Sequence, residues 1–174
     1  RAHAPLAWVL VPGIGAQGAL SRFDGRQWTT YGPEQGLPDS RVTAIVRDGQ
    51  GDLWLGSEGR GVSRFDGADF TTYTIADGLG NNKIVSVLND RSGQLWFAAY
   101  GGGISRFDGI SFQTLLQRDG LAHDATQQIL QDQRGDYWIA TEGGGLIDPV
   151  LIVTVRGKTR EIPGRWLAGQ GSPE

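Results

Sequence analysis

The sequence predicts an all-β fold of four-stranded antiparallel units repeating every 42 residues. Three observations carry that prediction. The pentapeptide Ser-Arg-Phe-Asp-Gly stands at residues 21–25, 63–67 and 105–109, with the same 42-residue interval each time. Trp54, Trp96 and Trp138 keep that interval too. Short apolar runs alternate with turn residues through each period, and no stretch sustains a helical period. Four short strands per period of about 40 to 45 residues are the pattern of a β-propeller blade. The chain holds about three and a half such blades, so a partial propeller, or one completed by other copies, is expected.

Residues 1–17 are weakly patterned and form a divergent part-blade. Trp8-Val9-Leu10-Val11 reads as a strand from a preceding repeat, but Pro12 stands 42 residues before Trp54, so the repeat is not intact there. Residues 18–148 carry the blades. In each copy a strand ends in Phe-Asp-Gly, and a returning strand follows; positive φ at the Asp-Gly step favours the turn. Trp28, Phe70 and Phe112 share one register on the returning strand.

A link containing Gly-Leu comes next, at 36–37, 78–79 and 120–121. After it, 41–47, 83–89 and 125–131 align as a strand whose adjacent apolar columns (Ile45, Val87, Ile129 and Val46, Leu88, Leu130) predict burial on both faces. An Asp-x-x-Gly turn then leads to the tryptophan strand, and a small, Gly-rich turn closes the period. The tryptophans are expected between neighbouring blades, as core. Complete blades are expected at about 41–73 and 83–116. The register fails after Gly145, and 149–174 reads as a divergent edge strand (150–155) and tail, with a strained closure by that strand as one alternative.

Composition narrows the chemistry. Twenty-eight glycines without a Gly-X-Y period fit many tight turns rather than collagen. A net charge of −3 without a basic stripe argues against nucleic acid. Absent cysteine excludes disulfides and thiol chemistry. The longest apolar runs, 6–11 and 150–155, are too short to span a bilayer. Absence of Met and a start at Arg1 suggest a fragment or a processed chain.

No catalytic constellation converges in the sequence. His3 and His123 are the two histidines, and a lone His123-Asp124 pair lacks a positioned third group. Neither a metal nor a cofactor is expected: the Asp48-type turns lack four spaced oxygen ligands, so their Asp side chains should bond the turn backbone. Arg22, Arg64 and Arg106 recur once per blade and are expected to pair with a nearby carboxylate or turn carbonyls. Positions that vary between copies are freer to bind. The turn after the tryptophan strand carries Glu58, Arg60, Tyr100 and Glu142; the inter-blade link, on the same face, carries Arg41, Asn81, Asn82, Lys83, His123 and Asp124, with Asp39 and Ser40 nearby. Loops on a rigid scaffold are where binding residues gather, and this mixture suits a small polar ligand such as a sugar.

The copies resemble the two-component-regulator propeller repeat. Gly36-Leu37 with 48–54 and 61–67 carries the likeness, as do 77–79, 90–96 and 103–109. The third set, 119–121, 132–138 and 143–146, lacks the Arg-Phe-Asp-Gly ending. The resemblance implies a propeller sensor region, usually outside the cytoplasmic membrane of bacterial receptors and often recognising glycans. It also implies a histidine kinase or similar output module as a partner region, which these residues do not supply. Periplasmic location follows from the resemblance, with a cytoplasmic one left open. The function expected is ligand sensing without catalysis. Alternatives are a propeller lyase or glycan hydrolase, and a scaffold that self-associates into rings.

Overall fold

A computed structural model describes residues 7–11, 19–37, 41–142 and 151–156. The described strands form four antiparallel sheets. The first contains β1 (Ala7–Val11), β2 (Ala19–Phe23) and β3 (Trp28–Tyr31). The second is a four-stranded meander of β4 (Val42–Arg47), β5 (Leu53–Ser57), β6 (Val62–Phe65) and β7 (Phe70–Tyr73). The third repeats it with β8 (Ile84–Asn89), β9 (Leu95–Ala99), β10 (Gly103–Phe107) and β11 (Phe112–Leu115). The fourth contains β12 (Thr126–Gln131), β13 (Asp136–Thr141) and β14 (Leu151–Arg156). These are consecutive β-propeller blades.

Strand register places both ends of the chain in the repeat. Trp54 lies opposite Arg64, Trp96 opposite Arg106, and Trp8 opposite Arg22. β1 is therefore the tryptophan strand of its blade, with four more residues between Trp8 and Arg22 than between Trp54 and Arg64. The 42-residue ruler misses it because spacing, not pairing, has changed. At the other end Trp138 lies opposite Thr154, so β14 occupies the position of β6 and β10 in its own sheet. It does not close onto the first sheet.

Three apolar clusters lie between the sheets. Leu20 and Leu37 meet Leu53, Leu55 and Phe65. Trp54 and Val62 meet Leu95, Phe97 and Phe107. Trp96, Ala98 and Ile104 meet Ile129 and Ile139. Alternation along one strand feeds two clusters, because successive side chains leave opposite faces of a sheet. Leu53 and Leu55 point back to the first sheet, whereas Trp54 points on to the third. Every residue of β5 and β9 is buried, so the strand covered on both faces is the tryptophan strand. β4 and β8 are mostly half-buried, less than their apolar columns suggest.

Turn chemistry is likewise repeated. Asp66 Oδ1 accepts from the amides of Ala68 and Asp69, both at 2.9 Å, and Gly67 takes φ 104°. The hairpin thus turns through Gly67 and Ala68, one residue beyond Asp-Gly. In the link, a 3-10 turn at Ile75–Asp77 ends on left-handed Gly78, which delivers Leu79 into the core. Leu37 and Leu121 are buried by the same device.

Candidate functional site

Meander topology puts the turn after each tryptophan strand and the inter-blade link on one face. Backbone bonds fix them together there: Glu58 N to Arg41 O at 2.9 Å, Tyr100 N to Lys83 O at 2.9 Å, and Glu142 N to Ala125 O at 2.7 Å. The first residue of each inner-strand segment thus sits beside the residue leaving the tryptophan strand. Side chains at these paired positions differ from blade to blade. Arg41 Nε and Glu58 form an ion pair at 3.0 Å. The Lys83 ammonium lies 4.6 Å above the centre of the Tyr100 ring. Ala125 offers Glu142 no charge.

Glu142 is bonded elsewhere instead. It accepts from Gln127 Nε2 at 3.2 Å. Its carboxylate also acts on the Tyr100 hydroxyl of the neighbouring blade, raising the Tyr100 pKa. Lys83, Tyr100, Glu142 and Gln127 therefore form one polar track across the junction of the third and fourth sheets. Gln127 escaped the sequence reading because a β-bulge in β12, between Thr126 and Gln128, displaces it from simple strand alternation. The bulge recurs in β4 and β8, so only the blade register reveals it.

Four other candidates have side-chain atoms engaged with the backbone of the link. Asn82 Oδ1 accepts from Ile75 N at 2.9 Å, and Asp124 Oδ1 accepts from Gln117 N at 2.6 Å. Asn81 Oδ1 accepts from Lys83 N, and His123 Nδ1 accepts from Ala125 N, each at 3.0 Å. This last bond assigns the neutral imidazole proton to Nε2. All four brace the link. Arg60 is exposed, and its amide donates to Ser57 Oγ at 2.9 Å. Asp39 and Ser40 lie outside the described residues.

On the opposite face the invariant residues serve the blades. Asp48 Oδ1 accepts from the amides of Gln50 and Asp52, while Oδ2 accepts from Trp54 Nε1 at 2.8 Å. Asp90–Trp96 and Asp132–Trp138 repeat the bond. This Asp–Trp link was not read from the sequence, although the six-residue separation in every copy was its signal. Arg64 pairs with Asp52 at 2.5 Å and lies over Trp54, its guanidinium carbon 5.9 Å from the ring centre. Arg106 bonds Gln94 and Gln113 and lies over Trp96. Among the described residues no group of three or more His, Cys, Asp or Glu side chains is placed to hold a metal.

Comparison with known proteins agrees with this architecture. Residues 36–59 and 78–101 match the family described as the two component regulator propeller. No curated protein matches the chain. Among solved structures, the extracellular domain of a one-component system from B. thetaiotaomicron is 26% identical with a TM-score of 0.61, over 75% of this chain and 20% of that one. PorZ, a surface component of the type-IX secretion system of Porphyromonas gingivalis, shares the fold at 20% identity and a TM-score of 0.63, over 84% and 23%. Virginiamycin B lyase from Staphylococcus aureus shares it at 16% identity and 0.59, over 86% and 52%. The chain spans about a fifth of the length of the first two. Residues 36–59 and 78–101 thus match two component regulator propeller repeats, within a chain folded as successive blades.

Proposed function

We propose that this chain is the ligand-sensing propeller region of a bacterial signal-transduction receptor, working outside the cytoplasmic membrane. The two repeat matches and the likeness to the B. thetaiotaomicron extracellular domain support that reading. A small polar ligand, a glycan among them, binds on the loop face, and a change in blade packing passes the signal to an attached output region. The observation that carries the site is the Lys83–Tyr100–Glu142–Gln127 track, where repeat-variable groups offer an aromatic face, a cation, a carboxylate and an amide together. Such convergent polar groups around an aromatic surface suit a hydroxyl-rich molecule.

No catalytic step is assigned. His123 Nδ1 is engaged with Ala125 N, and the likeness to the lyase is one of fold at 16% identity. Titration calorimetry with a panel of neutral and acidic oligosaccharides tests the binding site. Expected is a saccharide whose affinity falls at least about tenfold in Tyr100→Ala and Lys83→Ala and is unchanged in Arg64→Ala. Binding indifferent to both loop-face substitutions would overturn it, as would no binding by any member of the panel.

A further inference from the structure

Lys83 stands between two blades on the loop face. Its carbonyl accepts from Tyr100 N at 2.9 Å, and the carbonyl of the preceding residue, Asn82, accepts from Gly61 N at 2.8 Å. The first bond joins it to the turn of the third blade. The second joins it to the turn of the second blade, where Arg60 immediately precedes Gly61. Arg60 and Lys83 therefore flank one backbone hydrogen bond, and Tyr100 follows on the far side of Lys83. The Arg60 turn is itself fixed by the bond from Arg60 N to Ser57 Oγ at 2.9 Å.

Charge is not balanced along this row. The loops 57–61, 74–83 and 99–103 contain two carboxylates, Glu58 and Asp77. Glu58 is taken by Arg41 at 3.0 Å, and Asp77 Oδ2 caps its own 3-10 turn by accepting from Thr74 N at 2.8 Å. Arg60 and Lys83 form no ion pair among the described residues. The Tyr100 ring, 4.6 Å below the Lys83 ammonium, positions that charge without cancelling it. Arg60 is exposed. Two uncompensated cations thus stand side by side on a chain whose net charge is −3. Blade construction does not require them, since Gly102 and Ala125 take their places 42 residues on. The carboxylate of Glu142 lies beyond Tyr100, on the fourth blade, with Gln127.

We propose that Arg60 and Lys83 form an anion subsite, and that the loop face takes an acidic saccharide, one bearing a carboxylate or sulfate group. The acidic group lies between the guanidinium and the ammonium, and the sugar ring meets Tyr100 with its hydroxyls towards Glu142 and Gln127. A guanidinium engages two oxygens of such a group through paired N–H donors, and an ammonium adds a compact charge beside it. The inference rests on the loop-face binding reading above and narrows it, because a neutral sugar would leave both cations uncompensated.

Titration calorimetry with three matched ligands tests it: a linear trisaccharide of glucuronate, its carboxyl-reduced neutral form, and that neutral form sulfated at its primary hydroxyls. Expected is that at least one acidic form binds at least about tenfold more tightly than the neutral one. Its affinity should fall as salt is raised. The form that binds tells carboxylate from sulfate. Arg60→Ala and Lys83→Ala should each remove most of the preference, and Arg60→Lys should keep part of it. Arg60→Ala should leave the urea midpoint unchanged, so that lost binding is not lost folding. Equal affinity for neutral and acidic forms overturns the anion subsite and leaves the loop-face reading standing, as does a preference untouched in Arg60→Ala. A preference lost in Arg60→Ala but indifferent to Tyr100→Ala supports the subsite and removes the saccharide reading. No binding by any of the three ligands overturns both.

Discussion

Tyr137 donates its phenolic hydrogen to Oδ2 of Asp90 at 2.5 Å, across the junction of the third and fourth sheets. The same oxygen accepts from Trp96 Nε1 at 2.8 Å, and Oδ1 accepts from Ser92 and Gln94. Leu53 and Leu95 occupy the position of Tyr137 in the earlier blades and cannot form this hydroxyl–carboxylate bond. Its ring also packs on Trp96, 4.8 Å centre to centre.

Tyr137→Phe keeps the ring and removes the hydroxyl. Asp90 is buried and retains its other donors, so the loss should be about 1.5 kcal/mol, the low end of the range for a hydrogen bond to a charged group. A lower urea midpoint with an unchanged m-value is the expected result. An unchanged midpoint would mean that the hydroxyl contributes nothing to the junction.

The latch also sets two pH limits. Burial works against the Asp90 carboxylate, but bonds from Ser92, Tyr137, Trp96 and Gln94 outweigh it and hold the pKa below the ordinary 3.8. The resulting stability is present above pH 3.8 and is lost as pH falls through the lowered value. Burial, with Asp90 beside it, pushes Tyr137 from 10.0 up to about 12. That contribution is full below pH 10.0 and disappears as pH rises towards about 12. Thermal unfolding across both ranges should show both declines, and Tyr137→Phe should remove the part of the alkaline loss due to this residue. Tyrosinate absorbance should lose the hydroxyl that ionises at about 12 in Tyr137→Phe while the raised Tyr100 remains, and an unchanged titration in that variant would assign the shift elsewhere.

Arg64 is expected to stabilise its blade rather than bind. Arg64→Ala should cost no more than about 1 kcal/mol, because its ion pair with Asp52 is partly exposed and solvent screens it. Arg106→Ala should cost less than Arg64→Ala, since Gln94 replaces the carboxylate. Chemical denaturation of both variants checks the order, and the reverse order would contradict the pairing.

Gly102 and Gly80 cross with no room for a side chain. A Cβ on Gly102 would run into the backbone of Gly80 and Asn81, while Gly61 N holds the same link through Asn82 O at 2.8 Å. Gly102→Ala should therefore cost at least about 2 kcal/mol by displacing the link. Gly67→Ala meets no neighbouring atom, so only its φ of 104° opposes it, and its cost should be nearer about 1 kcal/mol. Equal urea midpoints for the two variants would show that the crossing yields easily.

Much of this was legible because repetition leaves its mark at fixed intervals. Ser-Arg-Phe-Asp-Gly announced a hairpin, the tryptophan column announced an interior, and the burial of Trp54 and Trp96 follows from a sheet that must cover both faces. The same ruler failed where spacing changed. Trp8 and β14 were recovered by their hydrogen-bonded partners, since pairing survives a change of spacing and periodicity does not.

What the sequence alone determined was the blade: its strand count, its turn residues, its apolar columns and the face on which its variable residues gather. These depend on local pattern and period. Only the tertiary structure decided which variable residues meet. Tyr100 and Glu142 lie in different blades, and Gln127 joins them because a bulge re-aims it. It likewise turned Asn82 and Asp124 towards the link backbone. Such contacts depend on how one sheet is set against the next, which no interval along the chain records.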